Sequence, residues 1–273
     1  MNELSGQEGR ARRSAKGINA VEIGYRVLMA VQLGPGSVSL SDIADRAGLK
    51  AGAAHNYLTS LIRTGLVERE HRGRYRLGPS AFALSQASFR VLNGYEVMRN
   101  EARALHDLTG ESVSVAVWSQ GGPISIYMLQ SHLPNRLGIQ PGQIPLLSSG
   151  SGLLYLAYLP ESETRALVES ELAANHDPRG YAAIVSAARE EVIPAGSARF
   201  NYSVPTPFSW NVPIWSNENE IPFALSLIVH EPVDRATEAQ WLNALKAAAD
   251  RASYLAAQSD ARGPQAIMER PRG

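Results

Sequence analysis

Ser39-Leu40-Ser41-Asp42-Ile43-Ala44-Asp45-Arg46-Ala47-Gly48-Leu49, continued by Lys50-Ala51-Gly52-Ala53-Ala54-His55-Asn56-Tyr57-Leu58-Thr59-Ser60-Leu61-Ile62-Arg63, reads as two short helices joined by a tight turn. Ser39 can cap the first free amides, Asp42 stands at the capping-box position and Val38 can staple onto Ile43, so a helix starts here. Gly48 can take the left-handed conformation that ends it, after which Leu49 turns inward. The next helix runs from Ala51 to Arg63, with Ala54, Leu58, Leu61 and Ile62 as its buried stripe and Gly65 at its end. Upstream, Ile18, Val21, Tyr25, Leu28 and Val31 recur every three or four positions, which predicts a preceding helix over Ile18–Leu33 closed by Gly34-Pro35-Gly36. Downstream, Leu66-Val67-Glu68-Arg69-Glu70 and Arg74-Tyr75-Arg76-Leu77-Gly78 flank His71-Arg72-Gly73, a two-stranded ribbon with Arg72-Gly73 at the tip.

The rest of the chain sets limits on what this unit serves. At 273 residues it has room for a small domain and a larger one, and its 44% apolar and 19% charged content is that of a globular protein. The absence of cysteine excludes disulfides, thiol catalysis, iron–sulfur clusters and cysteine-built zinc sites. The six histidines have no metal-motif spacing, so neither metal nor cofactor is expected. Apolar runs such as Gly152–Leu159 fall short of the ~20 residues that cross a bilayer, and a cytoplasmic location with no membrane partner is expected. The net charge is zero, yet residues 1–80 carry twelve Lys or Arg against seven Asp or Glu, and the remainder carries the opposite surplus. The front of the chain therefore suits a polyanion.

At 100° per residue, the stripe centred on Leu58 leaves Gly52, Ala53, Asn56, Ser60 and Arg63 on the opposite side, with His55 and Thr59 at its borders. Small residues permit close approach to a major groove, Asn56 can pair bidentately with an adenine edge, and Ser60 and Arg63 can reach phosphate. Four arginines within eight residues of the ribbon suit phosphate or minor-groove contact. The expected DNA-binding set is Ser39, Ser41, Lys50, Ala51, Gly52, Ala53, His55, Asn56, Ser60, Arg63, Arg72 and Arg74. These residue types also occur on ordinary surface helices; the ribbon that follows is what favours duplex DNA.

The run Ser39-Leu40-Ser41-Asp42-Ile43-Ala44, Ala47-Gly48-Leu49, Ala54-His55, Leu58, Leu61, Gly65-Leu66-Val67 and Gly73-Arg74-Tyr75-Arg76-Leu77-Gly78 resembles the winged helix-turn-helix of the IclR family of bacterial transcription regulators. The resemblance implies a homodimer, with tetramers possible, in which a linker helix joins the DNA-binding head to a GAF-like domain that binds a small effector. The chain departs from the family where Lys50-Ala51-Gly52-Ala53 replaces a Pro-Lys-Ser-Thr-like run and Asn56 replaces an Arg. Losing a serine-type cap costs about 1 kcal/mol of helix stability, and the smaller contact set implies a different operator.

Beyond the ribbon, Phe82, Phe89 and Leu92 share one side of a helix between Ser80 and Leu92, a dimer seam linking separate modules. Tyr95, Met98, Ala102 and Leu105 stripe a second helix to Leu108. Ser112–Trp118 alternates in the β manner, Gly121-Gly122 turns, and Ile124–Leu129 returns. Ser209–Trp215 and Ile221–Val229 supply a later antiparallel pair across residues 216–220. Helices fit at Gly152–Leu159, Glu161–Ala174, Tyr181–Glu191 and Glu238–Gln258, the last with Trp241, Leu245, Ala248, Ala252 and Leu255 in register. The expected fold is α+β: an N-terminal winged helix-turn-helix, a linker helix, and a GAF-like antiparallel sheet flanked by helices. The expected divisions are a basic arm at 1–17, the winged unit at 18–79, the linker at 80–94, the effector-binding domain at 95–260 and a tail at 261–273.

Gly142 with Pro145-Leu146-Leu147-Ser148-Ser149-Gly150-Ser151-Gly152 is similar to the family's loop before its pocket helix, although Leu147 and Leu153 stand where the family has His and Lys. Val212-Pro213-Ile214 and Phe223-Ala224-Leu225-Ser226-Leu227 resemble its final hairpin. The resemblance implies effector contacts at Gly150, Ser151, Trp210, Ser226 and Ile228. From the residues themselves, Ser148, Ser149 and Ser151 with loop amides near a helix start can hold a carboxylate or carbonyl, and Tyr202, Phe208, Trp210 and Trp215 can enclose a ring. Clustered aromatics equally build cores, and serine-glycine loops equally build turns. The expected function is a DNA-binding regulator, more a repressor than an activator, answering to a small organic acid or aromatic effector. A hydrolase or other small-molecule enzyme fused to a DNA-binding head is the alternative. No G-x-S-x-G, P-loop, G-x-G-x-x-G or H-E-x-x-H motif supports it, and His132 and His230 are isolated candidate bases, so no catalytic residue is expected.

Overall fold

The computed structural model describes residues 17–32, 36–91, 94–132, 142–202, 207–216 and 223–261. The expected arm and tail fall almost wholly outside these residues, as do Gly34-Pro35, Leu92 and the 217–220 turn. The chain forms two compact units, divided between Val91 and Leu92.

The first unit opens with α1 (Asn19–Gln32), then β1 (Val38–Ser39), α2 (Leu40–Ala47), α3 (Ala51–Arg63), β2 (Val67–Arg69), β3 (Arg74–Leu77) and α4 (Pro79–Val91). The expected cap is present: the Ser39 hydroxyl accepts from the Asp42 amide at 3.2 Å and donates to the Asp42 carboxylate at 2.7 Å. Gly48 ends α2 with φ 65°, and its amide and that of Leu49 close back on Asp45 and Ala44. Val27, Ala30, Val31, Ile43, Ala47 and Leu58 build the core with Val38, Val67 and Tyr75 from the strands. The ribbon gains a third strand that the sequence did not disclose, because β1 pairs with β3 at Val38↔Tyr75 and Ser39↔Arg74.

Two expectations for this unit need correction. Ile18 just before α1, and Val21 and Tyr25 on it, are 70%, 67% and 55% exposed, since the core takes the other side of that helix. Ile62 is exposed, so α3 buries a narrower stripe on Ala54 and Leu58. Leu77 is exposed as well, leaving Tyr75 as the inward residue of β3. On α4, Phe82 and Leu84 are 69% and 61% exposed.

The second unit contains α5 (Tyr95–Thr109), β4 (Ser112–Ser119), β5 (Gly122–Leu129), β6 (Gly142–Gln143), α6 (Gly150–Tyr158), α7 (Glu161–Ala174), α8 (Tyr181–Ala195), β7 (Ala198–Asn201), β8 (Phe208–Ile214), β9 (Phe223–Val229) and α9 (Arg235–Ala261). Its strands form one antiparallel sheet in the order β6-β5-β4-β9-β8-β7. One face packs Val113, Val115, Phe208, Val212, Leu225 and Leu227 against α5 and α9. The other packs Ala116 and Ala224 against Leu154 and Tyr155 of α6 and the helices beyond. α8 continues past Glu191 through Pro194 before Gly196 ends it, a proline so near the C-terminus removing only one helical donor. Leu255 of α9 is 41% exposed rather than part of the buried stripe.

Candidate functional site

In the first unit α3 is presented as its sequence implies. Ala51, Gly52, His55, Asn56, Ser60 and Arg63 are exposed, Ala53 is half-buried, and Ala54 and Leu58 seat the helix on the core. Its N-cap is Lys50, which makes no side-chain capping bond, so the first amides of α3 are not sealed by a protein side chain as those of α2 are. A helix start left this way is positively polarised, and Lys50 adds a charge beside it. Ser41 is exposed on the first turn of α2.

Three members of the expected set are engaged within the unit. Ser39 is committed to its cap. The Ser60 hydroxyl donates to the Asn56 carbonyl at 3.3 Å. Arg74 donates through Nε to the Ser37 hydroxyl at 3.0 Å, and through Nε and Nη2 to the Ser37 carbonyl, which ties the ribbon to the segment before β1. Arg76 is balanced by Glu68 at 3.0 Å and Glu70 at 3.2 Å. Arg69 and Arg72 are the other exposed ribbon arginines, Arg72 standing at the tip with φ 65°.

In the second unit the site expected around α6 divides in two. β8 and β9 pair with Ser209↔Ile228, Trp210↔Leu227 and Asn211↔Ser226. Because side chains alternate across a strand, Ser226 and Ile228 share a face with Ser209 and Asn211, and Trp210 lies on the opposite face. There Trp210 meets Phe208 edge-to-face at 6.3 Å, under the guanidinium of Arg199. Trp215 instead stacks edge-on to Tyr158 at 5.2 Å. The four aromatics do not enclose a ring.

What gathers on the α6 side is a row of uncharged polar groups. The Ser226 hydroxyl donates to Asn211 Oδ1 at 2.7 Å, Ser151 reaches the same oxygen at 3.3 Å, and Asn211 Nδ2 donates to Ser209 at 2.9 Å and to the Ala198 carbonyl at 3.3 Å. Ser114 and Ser125 continue the row at 2.9 Å. The Tyr202 phenol is hydrogen-bonded to the Ser209 hydroxyl and to the Gly150 backbone, and burial pushes its pKa above the ordinary value. Ser151, Ser209, Asn211, Ser226 and Ile228 are all buried. A side chain at Gly150 would collide with the Asn211 amide, and one at Gly152 with the Leu146 carbonyl, so glycine is what lets this helix start approach the sheet and its own loop.

Two amides of the same loop, among those expected near the helix start, are already engaged within the protein. The amides of Leu146 and Leu147 are taken by the Glu171 carboxylate at 2.7 and 2.9 Å. Ser149 caps α6 by accepting from Gly152 at 3.0 Å and donating to the Pro145 carbonyl at 2.7 Å. Ser148 is exposed on the loop. Ser209 and Asn211 were missed, although the alternation Phe208, Trp210, Val212, Ile214 against Ser209, Asn211 is written in the sequence and sorts them once β8 is assigned.

The nearest approach to a catalytic pair is His230 Nε2, 2.9 Å from Ser112 Oγ. Ser112 is buried and its oxygen also accepts the Ser131 amide, while Glu111 bonds the His230 backbone amide at 3.1 Å. Burial lowers the His230 pKa; burial also raises that of Glu111, against the pull of the His230 amide. Among the described residues no three His, Cys, Asp or Glu side chains are grouped to hold a metal, and no helix is long and apolar enough to cross a membrane.

A winged helix-turn-helix head followed by an antiparallel α/β unit defines a class, and comparison with known proteins narrows it. Residues 20–71 match the IclR helix-turn-helix domain. The chain is 27% identical over 155 residues to the transcriptional repressor IclR of Escherichia coli K12, which covers 55% of this chain and 57% of that protein. It is 32% identical over 161 residues to the glycerol operon regulatory protein of Streptomyces coelicolor, 56% of this chain and 61% of that one. The matches thus span somewhat over half the length of these relatives. An IclR homologue from Microbacterium hydrocarbonoxydans, solved in complex with 4-hydroxybenzoate, shares the fold with a TM-score of 0.66 at 21% identity, over 88% of this chain and 99% of that one. Residues 20–71 thus carry a helix-turn-helix domain of the IclR type.

Proposed function

We propose that this protein is a transcription regulator that binds operator DNA through α3 and the ribbon, more a repressor than an activator, and that a small effector bound by the second unit changes its DNA affinity. The observation that carries the reading is the α3 surface. A helix seated on its core by Ala54 and Leu58 presents Gly52, His55, Asn56, Ser60 and Arg63 outward, with Lys50 at an uncapped start and Arg72 at the adjoining ribbon tip. The names of the relatives, a repressor and an operon regulator, support it. Their shared purpose also weighs against the enzyme alternative, as does the inaccessibility of Ser112.

The effector site assigned to the second unit is the α6 side of the sheet, with Gly150, Ser151, Ser226 and Ile228 joined by Ser209, Asn211 and Tyr202. Ser148 and Ser149 frame the loop, and Trp210 supports the sheet from behind. Since the polar groups there are uncharged and the loop amides are occupied by Glu171, the site favours a hydroxyl, amide or carbonyl group over a bare carboxylate. The complex of a structural relative with 4-hydroxybenzoate is consistent with a ligand of about that size. A homodimer, joined in part by Phe82 and Phe89 of α4, would present two α3 helices to a two-fold operator. The effector acts by shifting the population of states that fit it.

The test is fluorescence anisotropy with duplexes tiled across the DNA upstream of the protein's own gene, at low and moderate salt. Saturable binding to one tile, weakened by Asn56→Ala, supports the reading. Equal, feeble affinity for every tile at low salt refutes it. For the second unit, 4-hydroxybenzoate and 4-hydroxybenzamide are compared by thermal shift, with the larger shift expected from the amide and lost in Asn211→Leu.

A further inference from the structure

One carboxylate of the second unit is held by backbone amides alone. Glu171 lies in the last turn of α7, where the helix dipole disfavours negative charge, and that turn has no basic residue. Among the described residues no Lys, Arg or His forms an ion pair with it. Its two oxygens instead accept from two successive amides, Oε1 from Leu146 at 2.7 Å and Oε2 from Leu147 at 2.9 Å. Consecutive N–H groups that converge on one anion form a nest, a backbone geometry that binds anions generally. Glu171 is half-buried, which strengthens both bonds by keeping part of the solvent away.

The nest is joined to the start of α6. Ser149 donates to the Pro145 carbonyl at 2.7 Å and accepts from the Gly152 amide at 3.0 Å, and the Leu146 backbone lies so close to Gly152 that a Cβ there would collide with its carbonyl. Residues 145–152 are therefore one closed piece, and whatever fills the nest fixes where Gly150 and Ser151 stand against the sheet. Beyond its Cβ the Glu171 side chain is a methylene and a carboxylate, an acetate group on a tether. The tether decides the competition, because an anchored group acts at an effective concentration that free ligand does not match.

We propose that the Leu146–Leu147 nest is a binding site for a small monocarboxylate of acetate size, which the chain fills with its own Glu171, and that this internal occupant is a positioning residue for the effector site. The positioning role rests on the assignment of that site to the α6 side of the sheet; the carboxylate site does not.

Thermal melting of the full chain in sodium acetate against sodium chloride, at equal ionic strength and neutral pH, tests the nest. The wild type is expected to melt alike in both salts. Glu171→Ala is expected to melt about 5 °C lower in chloride and to regain most of that loss in acetate, saturably, because the substitution vacates the space of one acetate. Glu171→Gln, which keeps the space filled without the charge, is expected to melt lower in chloride and to gain nothing from acetate. Isothermal titration with 4-hydroxybenzamide tests the positioning role: its affinity is expected to fall a few-fold in E171A and to return in acetate, which a merely structural defect elsewhere would not do. An alanine variant as stable as the wild type, one that gains no more from acetate than from chloride, or a glutamine variant rescued equally overturns the inference. So does rescue of melting without rescue of 4-hydroxybenzamide binding. If the alanine variant folds only when prepared in acetate, that supports the nest; if it folds in neither salt, the inference falls. A wild type that does not bind 4-hydroxybenzamide refutes the effector-site assignment alone, since the melting comparison needs no effector.

Discussion

Asn56 and Arg72 illustrate how differently two exposed side chains of one surface can act on a nucleic acid. Asn56 carries a paired donor and acceptor that match an adenine edge, so Asn56→Ala is expected to cost about 1–3 kcal/mol of discrimination at one base pair. Arg72 offers charge at a ribbon tip, so Arg72→Ala should weaken binding to every sequence alike and lower the salt dependence by about one counterion. Competition anisotropy with single-base operator variants at two ionic strengths separates the two. Arg74 was expected to behave as Arg72 does, but its tether to Ser37 gives Arg74→Ala a second effect, a loss of head stability visible without DNA.

Glu111 and His230 make a residue-scale prediction for the second unit. His230 is held below its ordinary pKa by burial, so as pH falls through ~6.5 the unfolded chain takes up a proton that the folded chain refuses, and stability drops. Glu111 is held above its ordinary value, chiefly by burial, so the folded chain retains a proton that the unfolded chain has already released. Further acidification therefore returns part of the stability. Thermal melts between pH ~8 and ~4.5 should show the first loss abolished in His230→Gln and the later recovery abolished in Glu111→Gln. Melting curves of the variants parallel to the wild type across that range would contradict this account.

Among the elements, α2 is the one whose sequence and structure agree most closely, and its cap gives a direct measurement. Ser39→Ala removes both bonds between Ser39 and Asp42 and is expected to destabilise the head by about 1 kcal/mol, read by chemical denaturation. Its legibility follows from locality: cap, stripe and left-handed glycine lie within ten residues. α1 was misread because periodicity reports that a face is apolar, without telling which of two apolar faces the core takes. The β1–β3 pairing was invisible because two residues are too short for an alternation signal, and it rests on a partner more than thirty positions away. At the proposed effector site, the resemblance implies Gly150, Ser151, Ser226 and Ile228, and the structure sets Ser226 and Ile228 on the face of the sheet that α6 covers. Trp210 was misplaced by one residue of register, which in a strand exchanges faces, and the Glu171 clamp on the loop joins elements that no local pattern connects.

At the scale of the whole molecule, the charge asymmetry and the division between Val91 and Leu92 coincide: the cationic surplus lies in the first unit and the anionic surplus in the second. A neutral chain can therefore carry a steering field for DNA at one end only, which predicts that the association rate with DNA falls with salt much more steeply than a net charge of zero implies. Stopped-flow anisotropy over a salt series measures this; a salt-independent association rate would oppose it.

The second sheet is zipped at its centre by β4 and β9, strands separated by about 100 residues of chain. On the ribosome, the hairpin of β4 and β5 must wait with a bare hydrogen-bonding edge while nearly all the intervening sequence is made. Helices synthesised in that interval have one face of an unfinished sheet to shelter against. Loss of the final hairpin through premature termination would then do more than remove two strands: it would leave a sticky edge on nascent protein, fit for chaperone capture or aggregation, while the head, made first and built from neighbouring segments, could already have folded.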